Sequence, residues 1–257
     1  MRDLRTQMLK DDRLRTIINI LDKNNVIQVS DLADNLKVTE TTIRRDLSEL
    51  EEKGLLVRVH GGAKKKTVHS YTELTHKEKQ TINIEKKKHI AKICASLIED
   101  HDVVFIGSGT TNDLIFDYVT AQHVNIVTNS INVFNRIKDN PNYEVVLSGG
   151  RFRKVTGTFV GYFSNKLLRE VRVNKAFIGT NGINDENITT ANEEEGNASR
   201  IILDNAKEKF ILADSTKFGT QAFFTFYNAT DVTAIITDPE ISQNLEEYYN
   251  SISNILK

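Results

Sequence analysis

A chain of 257 residues with 39% hydrophobic and 27% charged residues has room for one or two domains and an ordinary globular composition. No stretch approaches the ~20 apolar residues of a membrane span, and Met1–Asp12 is too polar for a secretory signal. The single cysteine, Cys94, excludes an internal disulfide and a thiolate metal cluster. A cytoplasmic protein without metal or cofactor is the expectation. The formal charge of −1 is unevenly divided: residues 1–70 hold 14 basic against 11 acidic residues, a balance of +3, and the remainder carries −4.

Leu14, Ile17, Ile18 and Leu21 repeat at i, i+3, i+4, i+7, which predicts a helix with one apolar face. Asn24-Asn25 breaks it, and Val26–Val29 reads as a short extended link. Ser30 is expected to cap a second helix, 31–36, whose first turn holds Asp31. Lys37-Val38 is a tight turn. Thr39 caps a third helix, 40–51, in which Ile43, Leu47 and Leu50 face inward. That spacing leaves Thr41, Thr42, Arg44 and Arg45 outward, near the helix N-terminus, where a recognition helix presents side chains to base edges and phosphates. Gly54 should end the helix, and residues 55–62 read as a two-stranded wing in which Arg58 and His60 suit phosphate or minor-groove contact. This order of helices, caps and wing is that of a winged helix-turn-helix. Any one basic helix face is usually only a solvated surface, so the reading rests on the unbroken run.

Lys64-Lys65-Lys66 and the polar stretch after it form a linker, assigned to residues 63–82, between a DNA-binding domain of residues 1–62 and a second domain of residues 83–257. Beyond it a helix carries Ile90, Ile93, Cys94, Leu97 and Ile98, with Cys94 buried and inert. Short apolar runs then alternate with helical segments: Val103–Ile106, Val124–Val127, Glu144–Leu147, Ala176–Ile178, Phe210–Ala213 and Thr233–Ile236. They predict an α/β domain with a mainly parallel sheet covered on both faces.

Ligands of such sheets bind beyond the carboxyl ends of the strands, and these ends are polar and small. The first is Gly107-Ser108-Gly109-Thr110-Thr111, where glycines allow backbone N–H groups to point at an anion and the threonines open the next helix. It is neither a Walker A loop nor a dinucleotide fingerprint. Asn129, then Gly149-Gly150-Arg151, then Asn181 and finally Lys217 stand after the next strands. Glu194, in the acidic start of a helix, could address sugar hydroxyls, as could Glu195. The aromatic stretch from Phe218 to Tyr227 reads as packing. A small phosphorylated polyol is the expected ligand.

Ile43-Arg44-Arg45-Asp46-Leu47 and His60-Gly61-Gly62-Ala63, at this separation, resemble the N-terminal signature of the DeoR family of bacterial sugar-metabolism regulators. Gly107–Thr111, Thr128-Asn129, Gly149-Gly150, Ala176–Gly179 and Ala213–Gly219 resemble its sensor domain. The resemblance implies a repressor of a sugar-utilisation operon whose sensor is similar in fold to ribose-5-phosphate isomerase and whose effector is a phosphorylated sugar. A narrower similarity, to repressors of lactose phosphotransferase systems, rests on His76–Lys79, Ala95–Asp100, Phe159–Gly161 and Glu194–Gly196, and it implies tagatose-6-phosphate. Reading two operator half-sites needs two wing domains, so a homo-oligomer, dimer or tetramer, is expected on double-stranded operator DNA. The alternative is a sugar-phosphate isomerase with an accessory DNA-binding module, its acid–base groups drawn from Glu194, Glu195 and Asp214.

Overall fold

The computed structural model describes residues 10–24, 26–52, 55–59, 61–65 and 73–257. The chain divides into two compact units, 1–68 and 69–257. In the first, α1 (Lys10–Asn24), β1 (Val26–Gln28), α2 (Val29–Leu36) and α3 (Glu40–Glu52) precede β2 (Leu56–Val59) and β3 (Gly62–Lys65). Leu14, Ile17 and Leu21 of α1, Leu32 of α2, and Ile43, Leu47 and Leu50 of α3 close one core with Ile27, Leu56 and Ala63. The expected apolar stripes are the ones buried. Ile18 alone of the α1 stripe stays half-buried.

The wing has three strands rather than two. The link before α2 is a true strand, and the antiparallel order is β1-β3-β2. Two glycines permit this. Gly61 turns the chain at φ +79°, and a Cβ on Gly62 would overlap the carbonyl oxygen of Ile27 across the β1–β3 pair. Strand β3 also carries the wing past residue 62, so the boundary expected there falls inside a hairpin. Helix α2 starts two residues earlier than Ser30 would dictate. Gln28 stands at its N-cap without a side-chain bond, and the Val29 N–H donates to the Gly61 carbonyl at 2.9 Å. The wing thus satisfies one of the N–H groups that a helix start leaves without an intrahelical partner, and Ser30 sits exposed in the first turn. Lys37, left-handed at φ 52°, makes the turn into α3. Thr39 caps α3, accepting from the Thr42 N–H at 3.3 Å. The expected stop at Gly54 lies outside the described residues.

The second unit begins with α4 (His76–Lys79) and α5 (Ile84–Ser96) and then alternates strands and helices: β4 (Val103–Ile106), β5 (Val124–Thr128), α6 (Ile131–Ile137), β6 (Tyr143–Leu147), β7 (Arg151–Arg153), β8 (Thr158–Val160), α7 (Tyr162–Glu170), β9 (Val173–Gly179), β10 (Gly182–Asn184), β11 (Asn187–Thr190), α8 (Glu193–Asp204), β12 (Ala206–Leu212), β13 (Phe224–Asn228), β14 (Ala234–Ile236), α9 (Gln243–Asn250) and β15 (Ile255–Leu256). Seven strands form one sheet in the order β15-β14-β12-β9-β4-β5-β6, and every pair in it is parallel. Side chains alternate between two cores. Phe105, Val127, Ile178 and Ile211 pack with α7 and α8, while Val104, Ile106, Ile126 and Phe177 pack with α5 and α6. Cys94 is fully buried, and burial pushes its thiol well above the ordinary value, so it is inert as expected.

Smaller elements decorate the carboxyl ends of the sheet. β7 and β8 form a hairpin, and β10-β11-β13 a small antiparallel sheet. Phe218 and Phe226 are buried, as a packing role requires, while Phe223 is exposed.

Candidate functional site

In the first unit the outward face of α3 carries Thr41, Arg44 and Arg45 exposed, with Thr42 half-buried. Arg44 is paired with Glu40 one turn back, at 2.8 Å and with both side chains more than half exposed, an arrangement easily traded for a phosphate or a base. Arg45 has no ion-pair partner among the described residues. Thr39 is engaged in the cap and meets the Thr42 hydroxyl at 3.0 Å. Ser30 is exposed one helix away. Arg58 braces the wing on α3: its guanidinium donates to the Ser48 hydroxyl at 2.7 Å, and its backbone N–H to Glu51 at 2.9 Å. His60 lies outside the described residues. Asp46, on the core side of the same helix, is wholly buried against Arg13 of α1, with two contacts of 2.5 and 3.1 Å. The pair fixes the recognition helix on α1. The signal was in the sequence, since Asp46 interrupts the stripe of Ile43, Leu47 and Leu50 at i+3.

In the second unit the chain runs from β4 outward to β5 and β6, then returns to β9 on the other side of β4 and continues outward to β12, β14 and β15. The order reverses between β4 and β9, and that reversal opens a crevice at their carboxyl ends. Gly107–Thr111 leaves β4 there, and Gly179–Asn181 leaves β9. Gly107 does not offer its N–H to a ligand as expected, because that group donates to the Phe177 carbonyl at 3.0 Å and extends the sheet. The N–H groups of Ser108, Gly109, Thr110 and Thr111 make no hydrogen bond among the described residues. The loop leads into a 3-10 turn, 112–117, rather than an α-helix, and Thr111 gives it no side-chain cap. Gly109 has a φ of +148°, and Cβ atoms on Gly109 and Gly179 would stand 3.3 and 3.4 Å from the same oxygen, Oδ1 of Asn112. That buried amide donates to Phe177, and its Oδ1 is without a partner, as are Asp113 Oδ1 and Asn129 Oδ1. Three unsatisfied buried acceptors at one end of a sheet are unusual.

Cations collect beside them. Lys217 projects from a 3-10 turn capped by Asp214, which accepts from the Thr216 N–H at 3.0 Å and from Asn83 at 3.3 Å. Lys79 ends α4. Lys87, on α5, is buried and donates its ammonium to the Lys79 carbonyl. Burial depresses both Lys79 and Lys87, and the charge of Lys217 depresses each further, against partial relief from Glu73 and Glu195 at Lys79 and from Asp214 at Lys87. The three ammonium groups therefore share one electrostatic field. Lys79 and Lys87 were not legible in the sequence, because a lysine in a polar linker or on a helix is ordinarily solvated.

The other expected residues are less uniform. Gly149 and Gly150, at φ +64° and +111°, turn the chain from β6 into β7, and a Cβ on Gly150 would stand 2.8 Å from the Val160 carbonyl. Arg151 is exposed and ion-paired with Glu194 at the start of α8. Asn181 accepts through Oδ1 from Thr190 and Ala191, at 3.1 and 3.2 Å. Glu195 is the more enclosed acid: it accepts from Thr156 and pairs with Arg153 at 3.0 Å, and burial raises its pKa. Among the described residues no helix is long and apolar enough to cross a membrane, and no three His, Cys, Asp or Glu side chains group as metal ligands.

Two family models match the chain: the DeoR-like helix-turn-helix domain over residues 13–68 and the DeoR C terminal sensor domain over residues 82–239. Proteins named lactose phosphotransferase system repressor align along nearly all of it. The one from Streptococcus mutans serotype c is 35% identical, covering 96% of this chain and 100% of the relative. One from Staphylococcus epidermidis is 38% identical with the same coverage, and one from Staphylococcus aureus 37% over 93% of this chain and 96% of its own. Among solved structures, ribose 5-phosphate isomerase A of Methanocaldococcus jannaschii covers 53% of this chain and 55% of its own, with 18% identity and a TM-score of 0.37.

Proposed function

The chain belongs to the DeoR family, and from that premise we propose that it is a sequence-specific repressor of a sugar-utilisation operon, released from its operator by a phosphorylated sugar. The observation that carries the ligand half of this reading is that Lys79, Lys87 and Lys217 share one electrostatic field, on elements that His76 ties to Asp113, two residues past the Gly107–Thr111 loop. A phosphate dianion is the group that three such ammoniums would hold. Asn129 and Asn181, which follow β5 and β9, and Glu194 at the start of α8 are the hydrogen-bonding groups we assign to the hydroxyls. Tagatose-6-phosphate is the sugar we favour, since proteins named lactose phosphotransferase system repressor align along nearly the whole chain. The protein acts in the cytoplasm as at least a dimer, because a single wing domain reads only one short half-site.

We read it as a regulator and not an isomerase. The three carboxylates suited to acid–base work are already engaged: Glu194 with Arg151, Glu195 with Thr156 and Arg153, and Asp214 with Thr216 and Asn83. The test uses a DNA fragment selected by the full chain from a random-sequence library and followed by fluorescence anisotropy. Addition of tagatose-6-phosphate lowers the anisotropy, and the recovered sugar phosphate is unchanged. A complex indifferent to every hexose phosphate tried, or steady turnover of one of them, overturns the reading.

A further inference from the structure

Residues 73–83 form a strap rather than a spacer. Thr75 and Glu78 make a reciprocal capping box that holds α4 in shape, with the Thr75 N–H donating to Glu78 at 2.7 Å. The strap is then fastened to the second unit at three points. The His76 N–H donates to the Val155 carbonyl at 2.8 Å. The His76 ring meets Asp113 at 2.6 Å, both side chains being about nine-tenths buried. Glu73, equally enclosed, pairs with Arg153 of the β7–β8 hairpin.

These fastenings use groups that also belong to the crevice. Asp113 comes just after the Gly107–Thr111 loop and has an unpartnered second oxygen. Arg153 is shared between Glu73 and Glu195. Lys79 stands 3.6 Å from Glu73, a separation that marks an attraction rather than a seated bond, and its carbonyl receives the Lys87 ammonium. Glu73 also lies eight positions after Lys65, the last residue of β3, so the strap is the stretch of chain by which the DNA-binding unit enters the second.

Resting on the sugar-phosphate reading above, we propose that Glu73–Arg153 and His76–Asp113 form a latch that holds the strap in the DNA-competent state, and that an anion among Lys79, Lys87 and Lys217 opens it. A phosphate dianion competes with Glu73 for Lys79, and so disturbs the carboxylate that Lys79 and Arg153 share. Ligand and latch thus draw on the same cations. An effector shifts an equilibrium only by its differential affinity for the two states, and here the difference lies in who holds those cations. The coupling is reciprocal: weakening the latch by any route tightens effector binding and loosens operator binding together.

The experiment compares the full chain with Glu73→Gln and His76→Asn, measuring operator affinity by anisotropy and tagatose-6-phosphate affinity by calorimetry on the same samples, with inorganic phosphate as a second probe. Glu73→Gln keeps the shape and removes the charge. His76→Asn loosens the second fastening without touching the cations, and a residue that merely contacts ligand would not reproduce its effect. Both variants should bind sugar phosphate tighter and operator weaker, each by about five- to tenfold, the lower range of measured coupling. Unchanged operator affinity in both variants, or weaker effector binding in both, overturns the latch while leaving a responsive native protein and the repressor reading intact. A native protein that fails to release DNA in sugar phosphate overturns that reading and the latch with it.

Discussion

Replacing Asp46 with alanine removes one half of a buried ion pair and leaves the other half in place. The Arg13 side chain retains 7% of its accessible surface and Asp46 none, and the two meet at 2.5 and 3.1 Å. Arg13 keeps a further interaction, so the loss lies at the lower end of the about 3–5 kcal/mol that removing a buried ionic partner costs. A small domain commands only the lower part of the roughly 5–15 kcal/mol typical of folded proteins. At about 4–8 °C per kcal/mol for a domain of this size, the winged-helix transition should fall by about 12 °C or more. The sensor transition should not move, so scanning calorimetry of the full chain separates the two. Operator binding should fail together with the first transition, because the pair seats α3 on α1 and so aims Arg44 and Arg45. The double variant Arg13→Met, Asp46→Leu replaces both charges with apolar groups and should recover most of the loss, within about 1–2 kcal/mol of native. A single-variant cost below about 1 kcal/mol, the value of an exposed ion pair, would refute the argument by showing that water reaches the pair.

Arg44→Ala with Arg45→Ala should cost the operator complex roughly 1–3 kcal/mol per base-reading arginine, or flatten the salt dependence where the contact is to phosphate, as anisotropy over a salt series would distinguish. Gly62→Ala should destabilise the wing by forcing β3 away from the Ile27 carbonyl, and hydrogen exchange at Val26–Gln28 would show it as lost protection. Lys217→Ala should retain operator binding but need far more sugar phosphate for release, and a normal release curve would place the anion elsewhere. Effector affinity should also fall as pH rises into the alkaline range. Only the ammonium forms attract phosphate, and burial holds Lys79 and Lys87 below the ordinary lysine value, so the loss begins earlier than a solvated lysine would give. Calorimetry showing flat affinity up to pH ~10 would rule this out.

The helices of the first unit and the parallel strands of the second were legible because each is written in neighbouring residues. Ile43, Leu47 and Leu50 face one way by helical spacing alone, and an apolar run such as Val103–Ile106 can only be a buried strand or a fragment of core. Turn chemistry was equally local where a single residue does the work, as with Thr39 at the start of α3. It misled where distant pairing set the start instead, as at Ser30, which falls inside α2 because the Val29 N–H is bound by the Gly61 carbonyl. The same holds for Gly107, whose expected free N–H is taken by Phe177 of a strand 70 residues on. The polar strand ends marked the crevice, yet the lysines beside it come from a strap, a helix and a 3-10 turn spread from residue 79 to residue 217. Nothing in the local pattern of Lys79 or Lys87 sets it apart from a solvated lysine. Charge acts through space, so which cations share a field, and which carboxylates restrain them, was settled only when the order of seven parallel strands brought their carboxyl ends to one side.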